Sequence, residues 1–132
     1  MHRAIVSALL LPTLALAAAD PALPDWYEVQ DGAWHVPPEI VAGAASHVQE
    51  AADHAYMSWR LPHTVGAYRV QYQGVEIDGK RLVRLMGACR IEAGAPDLTQ
   101  RWYAVLDGGN CYYRAEYDPA AQTFVRFAFG GR

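Results

Sequence analysis

The chain has 132 residues, 52% of them apolar, and its 11 basic and 14 acidic side chains leave a formal net charge of −3. That length suits one domain with one hydrophobic core. The mild acidity excludes the basic face on which nucleic-acid binding rests, and it lies far from the charge extremes of disordered chains.

The first residues address the chain. "MHR" places a positive charge at Arg3, "AIVSALLLPTLALAAA" is a short apolar run, and small residues close it. Positive start, greasy middle and small residues at the cut are the layout of a secretory signal. Residues 1–19 are read as that signal, with cleavage after Ala19 and a mature chain from Asp20. The run is shorter than the roughly 20 apolar residues of a spanning helix, and no cysteine follows it to carry a lipid. The expectation is a periplasmic or secreted protein, free of the membrane after cleavage.

Residues 20–37 form an irregular aromatic segment. Four prolines in "DPALPDWYEVQDGAWHVPP" and the Asp31-Gly32 pair break regular structure. Trp26, Tyr27 and Trp34 either pack down onto the domain, with a short strand at "WYEV", or form an aromatic strip for a partner.

A single α+β domain is expected over 38–132. Pro38 sits where a helix tolerates proline, at its first position. From 39 to 59 the apolar residues Ile40, Ala44, Val48, Ala51, Ala55 and Trp59 recur at helical steps and make one stripe. Leu61-Pro62 ends the helix. The period then changes to two. Tyr68, Val70 and Tyr72 alternate with Arg69, Gln71 and Gln73, and Asp78-Gly79 supplies a tight hairpin turn. Val83 and Leu85 share one face with Cys89 and Ile91, against Leu82, Arg84, Met86 and Ala88. Cys111, Tyr113, Ala115 and Tyr117 alternate with Tyr112, Arg114, Glu116 and Asp118. Asp118-Pro119 turns the chain, and Val125, Phe127 and Phe129 are expected to face the core. One apolar and one mixed face per strand is the pattern of an antiparallel sheet covered on one side. The reading is one N-terminal helix packed on an antiparallel sheet of about four strands, in two layers.

The two cysteines, Cys89 and Cys111, pair most simply as one disulfide in an exported chain. Strands that merely turned back at 92–96 would set Cys89 opposite Trp102, too far from Cys111 for the roughly 7 Å limit between bridged α-carbons. Most of 90–110 is therefore an excursion closed by the disulfide, worth on the order of 3 kcal/mol. Trp102 and Tyr103 ride on it.

The chemistry-bearing residues do not assemble into a catalytic set. Cys111 has no histidine within twenty residues to act as its base. His47 and His54, with Glu50 between them, are seven apart on the helix, about 10 Å along its axis, too far to share one ion. His35 and His63 add no ligand spacing. Asp107 and Asp118 occupy turn positions. The "DGGN" run lacks the lysine and helix of a phosphate cradle. No catalytic residue, metal ligand or cofactor is assigned. The mixed sheet face carries Arg69, Arg84, Arg90, Arg114 and Arg126 with Gln71 and Gln73. Such a row is either solvated or a recognition surface for an acidic partner.

The run "YRVQYQGVEIDGKRLVRLMGAC", a tryptophan segment and "DGGNCYYRAEYDPAAQTFVRFAFGG" resemble uncharacterised small exported proteins of Gram-negative bacteria that share a G-G-x-C-aromatic and Y-D-P pattern. The resemblance covers 68–131 and implies no activity. The helix-then-sheet order is similar to the cystatin-like class, whose inhibitors use a Q-x-V-x-G hairpin. "QYQGVEIDG" lacks that motif, so protease inhibition does not follow. The expectation is an exported non-enzymatic binding module of inhibitor or immunity type, with a protein partner in the envelope or outside the cell. Trp102, Tyr103, Trp26 and Trp34 are its candidate partner-binding residues. The alternative is a ligand-binding or enzymatic domain with a pocket between helix and sheet, lined by Tyr68, Tyr72, Tyr113 and a helical histidine.

Overall fold

The computed structural model describes residues 23–55, 64–104 and 109–130. The signal segment, Trp59, Leu61-Pro62 and Asp107 lie outside them. One helix packs against a five-stranded sheet, and Cys89 and Cys111 form a disulfide. The strands are β1 (Trp26–Glu28), β2 (Arg69–Ile77), β3 (Lys80–Ala88), β4 (Tyr112–Asp118) and β5 (Thr123–Phe129), and they lie in chain order across the sheet. The α+β reading holds, with two refinements. There are five strands rather than about four, and the sheet is mixed, because β1 pairs parallel to β2. The aromatic N-terminal segment thus contributes the first edge strand.

Helix α1 spans Pro38–His54. Pro38 at the start needs no amide partner, and Glu39 in the first turn faces the positive end of the helix dipole. The buried stripe is Val41, Ala44, Val48 and Ala52. It is rotated by one residue from the expected stripe at its two ends, because Ile40 and Ala51 sit on the flank and are half-buried. Val41 and Val48 each contribute on the order of 1.5–3 kcal/mol by leaving water. The alanines let the helix lie close to the sheet.

Strand pairing fixes which side chains meet the helix. The inner face is built of cross-strand rows: Trp26, Val70, Gly87, Tyr113 and Phe129 form one, and Tyr72, Leu85, Ala115 and Phe127 another. Tyr113 is fully enclosed. Its ring lies over Gly87, where an added β-carbon would stand 2.1 Å from the ring, and it stacks between Tyr68 and Phe127. Its hydroxyl has no hydrogen-bond partner among the described residues. The hairpin β2–β3 turns at Asp78 and Gly79, both with positive φ, the geometry that Asp-Gly favours.

Strand β5 departs from simple alternation. Tyr117 pairs with Phe124 and Glu116 with Arg126, leaving Val125 as an extra residue opposite no partner. Val125 is therefore 52% exposed, and Phe124, Phe127 and Phe129 pack on the core instead. A bulge shifts strand parity by one, which period-two reasoning cannot detect.

The turn after β4 is held by Asp118. Its carboxylate accepts the amides of Ala120 and Ala121 and lies 2.6 Å from the Lys80 ammonium of β3. The bond from Lys80 holds Asp118 below the usual carboxylate range, and the two amides add to that against the effect of burial.

Two expectations follow. Gly87→Ala drives a methyl group into the Tyr113 ring and lowers unfolding free energy in urea titration by about 1–3 kcal/mol or more; an unchanged midpoint would remove the close approach. Because folding depresses the Asp118 pKa, its carboxylate stabilises the fold above the ordinary value of about 3.9 and stops doing so as pH falls through the lower folded value. The melting-temperature gap between wild type and Asp118→Asn is therefore full at neutral pH and closes below about pH 4. A gap that persists unchanged to pH 2 contradicts the ion pair.

Candidate functional site

The disulfide ties the end of β3 to the start of β4. Cys89 and Cys111 lie 4.9 Å apart at Cα, and the Cys89 amide donates to the Cys111 carbonyl at 2.7 Å. This continues the register of the Ala88–Tyr112 pair by one step. A single 3-10 turn, Gly109–Cys111, leads into β4. The 22-residue separation is the expected closed excursion.

Its course corrects the expectation of a sheet covered on one side only. The excursion neither projects nor adds a strand among the described residues. It folds back over the outer sheet face, opposite the helix, and Gln71 holds it there. Gln71 points outward from β2 yet is only 3% exposed. Its Nε2 donates to the carbonyls of Leu98 at 2.8 Å and Arg101 at 2.7 Å, and its Oε1 accepts the Tyr103 amide at 2.8 Å. Both amide hydrogens and one acceptor site are used. The Gln30 amide donates to the Thr99 carbonyl, and Gln73 reaches the Gln30 carbonyl, so the segment after β1 is stitched to the same excursion. Tyr103 packs against Tyr112 and its hydroxyl accepts the Glu92 amide. Leu98, Leu82, Ala88 and Tyr112 are buried on this side.

A groove of about 470 Å3 opens on this face, with Trp102, Tyr103 and Ala104 as one wall. Its floor is two cross-strand rows. Arg84, Glu116 and Arg126 make one, and Met86, Arg114 and Ala128 the other. Arg84 lies 3.8 Å from Glu116, a loose contact. Arg114 and Arg126 are exposed and have no carboxylate partner among the described residues. Three guanidinium groups and one carboxylate thus share a floor in a chain that is acidic overall.

The four aromatic candidates do not form one surface. Trp26 packs on Tyr72, on the helix side. Trp34 also lies on the helix side, over Gly74. Its Nε1 donates to the Val75 carbonyl at 2.9 Å, and Arg81 stacks on its ring. Trp102 and Tyr103 stand on the opposite face. Sequence reading found the arginine row and the excursion separately. The residue it missed as a structural element is Gln71, read only as part of the mixed face. A glutamine on the outward parity carries no sign that a loop will cover it.

The tyrosines of the alternative pocket fill the space between helix and sheet. Tyr68, Tyr72 and Tyr113 are buried in the core cluster, and the Tyr68 hydroxyl donates to the Asn110 carbonyl. Burial pushes the Tyr72 phenol up, with Glu28 beside it adding to the effect, and burial pushes Tyr113 up further. Both stay protonated near neutral pH. His47 stacks on Tyr117, while the exposed His54 bonds through Nδ1 to the Glu50 carbonyl. The two histidines, Glu50 and the β4–β5 turn border a shallow cleft of about 270 Å3. Among the described residues no three histidine, cysteine or acidic side chains are grouped to hold a metal, and no helix is long and apolar enough to cross a membrane.

No protein-family model matches the chain, and no curated protein or solved structure matches it closely enough to support a comparison.

Gln71→Ala leaves two carbonyls and an amide without their partner and lowers stability by about 2–4 kcal/mol. Limited proteolysis then cuts between residues 90 and 104, and the fragments separate on a gel only after reduction, because the disulfide still joins them. Equal protease resistance in wild type and variant would show that Gln71 does not hold the excursion.

Proposed function

We propose that the protein is an exported, non-enzymatic binding module of inhibitor or immunity type, and that the groove on the outer sheet face is its recognition surface. One observation carries this reading. Trp102 and Tyr103 are held beside three arginines by a buried hydrogen-bonded anchor rather than left on a loose loop. Aromatic and arginine side chains are those that dominate protein recognition energetics, and a wall fixed before binding loses less entropy on association. The partner in this reading is a protein of the envelope or the medium. The disulfide suits an oxidising compartment, in keeping with a periplasmic or secreted location and with the resemblance to small exported proteins. Trp26 and Trp34 serve the core side of the fold in this reading, and the outer face alone meets the partner.

The test is capture from the envelope fraction and culture fluid of the producing organism. Tagged wild type retains a discrete partner, and Trp102→Ala/Tyr103→Ala loses it while keeping the wild-type circular dichroism spectrum. Retention of the same partner by the double variant, or capture of none from either fraction, overturns the reading.

A further inference from the structure

The charge pattern of the groove narrows what it can accept. The floor row runs Arg84, Glu116, Arg126 across three strands. Neighbouring strands are about 4.8 Å apart, so the two arginine α-carbons stand about 10 Å apart with a carboxylate between them. Arg114 sits one step along β4 from Glu116 on the same face, about 7 Å away. The positive charge is therefore placed in separate spots around a negative centre. The apolar surface of Met86, Ala128 and the Trp102 ring lies against those spots.

This arrangement works against a uniform polyanion. Sulfated polysaccharide or a phosphate-rich surface would press charge against Glu116, and those of its charges more than a Debye length of about 8–10 Å from the three arginines would gain little from them. Short-range contact with a few spaced carboxylates avoids both. An extended polypeptide supplies such spacing, because alternate side chains on one face of a strand are about 7 Å apart. An apolar or aromatic side chain beside them meets Trp102. Planar carboxylates also suit the two-pronged guanidinium.

We infer that the groove binds an acidic, extended polypeptide segment of its partner, with separate carboxylates on Arg114 and Arg126 and an apolar side chain against Trp102. Glu116 acts as a selectivity residue that turns away dense polyanions. This rests on the outer face being the recognition surface, as proposed above.

The probe is an eight-residue peptide, acetylated and amidated, with glutamate at alternate positions around a central phenylalanine. Its binding to the full disulfide-bonded protein is followed by calorimetry. A glutamine-for-glutamate version and a heparin octasaccharide serve as comparators. The acidic peptide is expected to bind at least about tenfold tighter than its glutamine version. Arg114→Glu/Arg126→Glu is expected to weaken it by at least about tenfold, since two attractive contacts are lost and each reversal turns attraction to repulsion. Affinity also falls at least about threefold between roughly 50 and 500 mM salt, as the screening length shrinks. Heparin binds more weakly than the peptide, and Glu116→Gln shifts the preference toward heparin. Equal binding of the glutamine peptide, indifference to the double reversal, or tighter binding of heparin overturns the inference. The two readings fail separately. If Trp102→Ala/Tyr103→Ala abolishes partner capture while the acidic peptide does not bind, the occupant is wrong and the recognition face stands. If capture ignores the double variant, the face itself is wrong.

Discussion

The three hydrogen bonds of Gln71 decide what the outer half of this molecule is. A glutamine on the outward parity of a strand would ordinarily meet water. Here a closed excursion lies over it, and the side chain satisfies two carbonyls and one amide, the Leu98 carbonyl in a buried bond and the Arg101 carbonyl and Tyr103 amide in partly buried ones. Leaving such groups unpaired costs about 1–3 kcal/mol each, so the anchor and the loop position stabilise each other. Without it the outer sheet face is an open field of arginines. With it, Trp102 and Tyr103 become a wall, and the arginines become a floor.

The disulfide and the glutamine act on different terms of the free energy. Cross-linking Cys89 to Cys111 reduces the freedom of the unfolded chain and ties together the two ends of the excursion. It says nothing about which way the loop between them leans. The direction comes from Gln71 and from the pairing of Gln30 with Thr99, which joins the excursion to the segment after β1. The parallel edge strand β1 thus shapes the far face as well as extending the sheet.

Much of this fold is readable along the chain because it rests on local rules. Asp78-Gly79 marks a turn by its own backbone preference, Pro38 marks a helix start, and the spacing of the cysteines requires an excursion near 90–110. What escapes is non-local or breaks a period. The short strand at "WYEV", one of the two readings open for that segment, does form at Trp26–Glu28, but its parallel pairing to the β2 edge leaves no turn signal and is not legible. Val125 flips outward because a bulge adds one residue. Val41 and Ala52 are buried in place of the expected Ile40 and Ala51, a one-residue rotation that an alanine-rich helix does not specify. For the candidate site, the arginine row was legible as alternation, and Trp102 and Tyr103 as aromatics inside the closed loop. That these share one groove, and that Trp26 and Trp34 do not, depends on the direction in which the excursion folds.

The most direct test of that arrangement is residue-resolved hydrogen exchange on the intact, oxidised protein, read at Tyr103. Among the described residues its amide has no strand partner and donates to Gln71 Oε1. Exchange slowed at least about a hundredfold relative to an unstructured peptide, close to global unfolding rather than loop opening, is the expected result. Exchange at the unstructured rate, with the strand amides of β2 still protected, would show that the excursion is not held on the sheet and that the groove has no fixed wall.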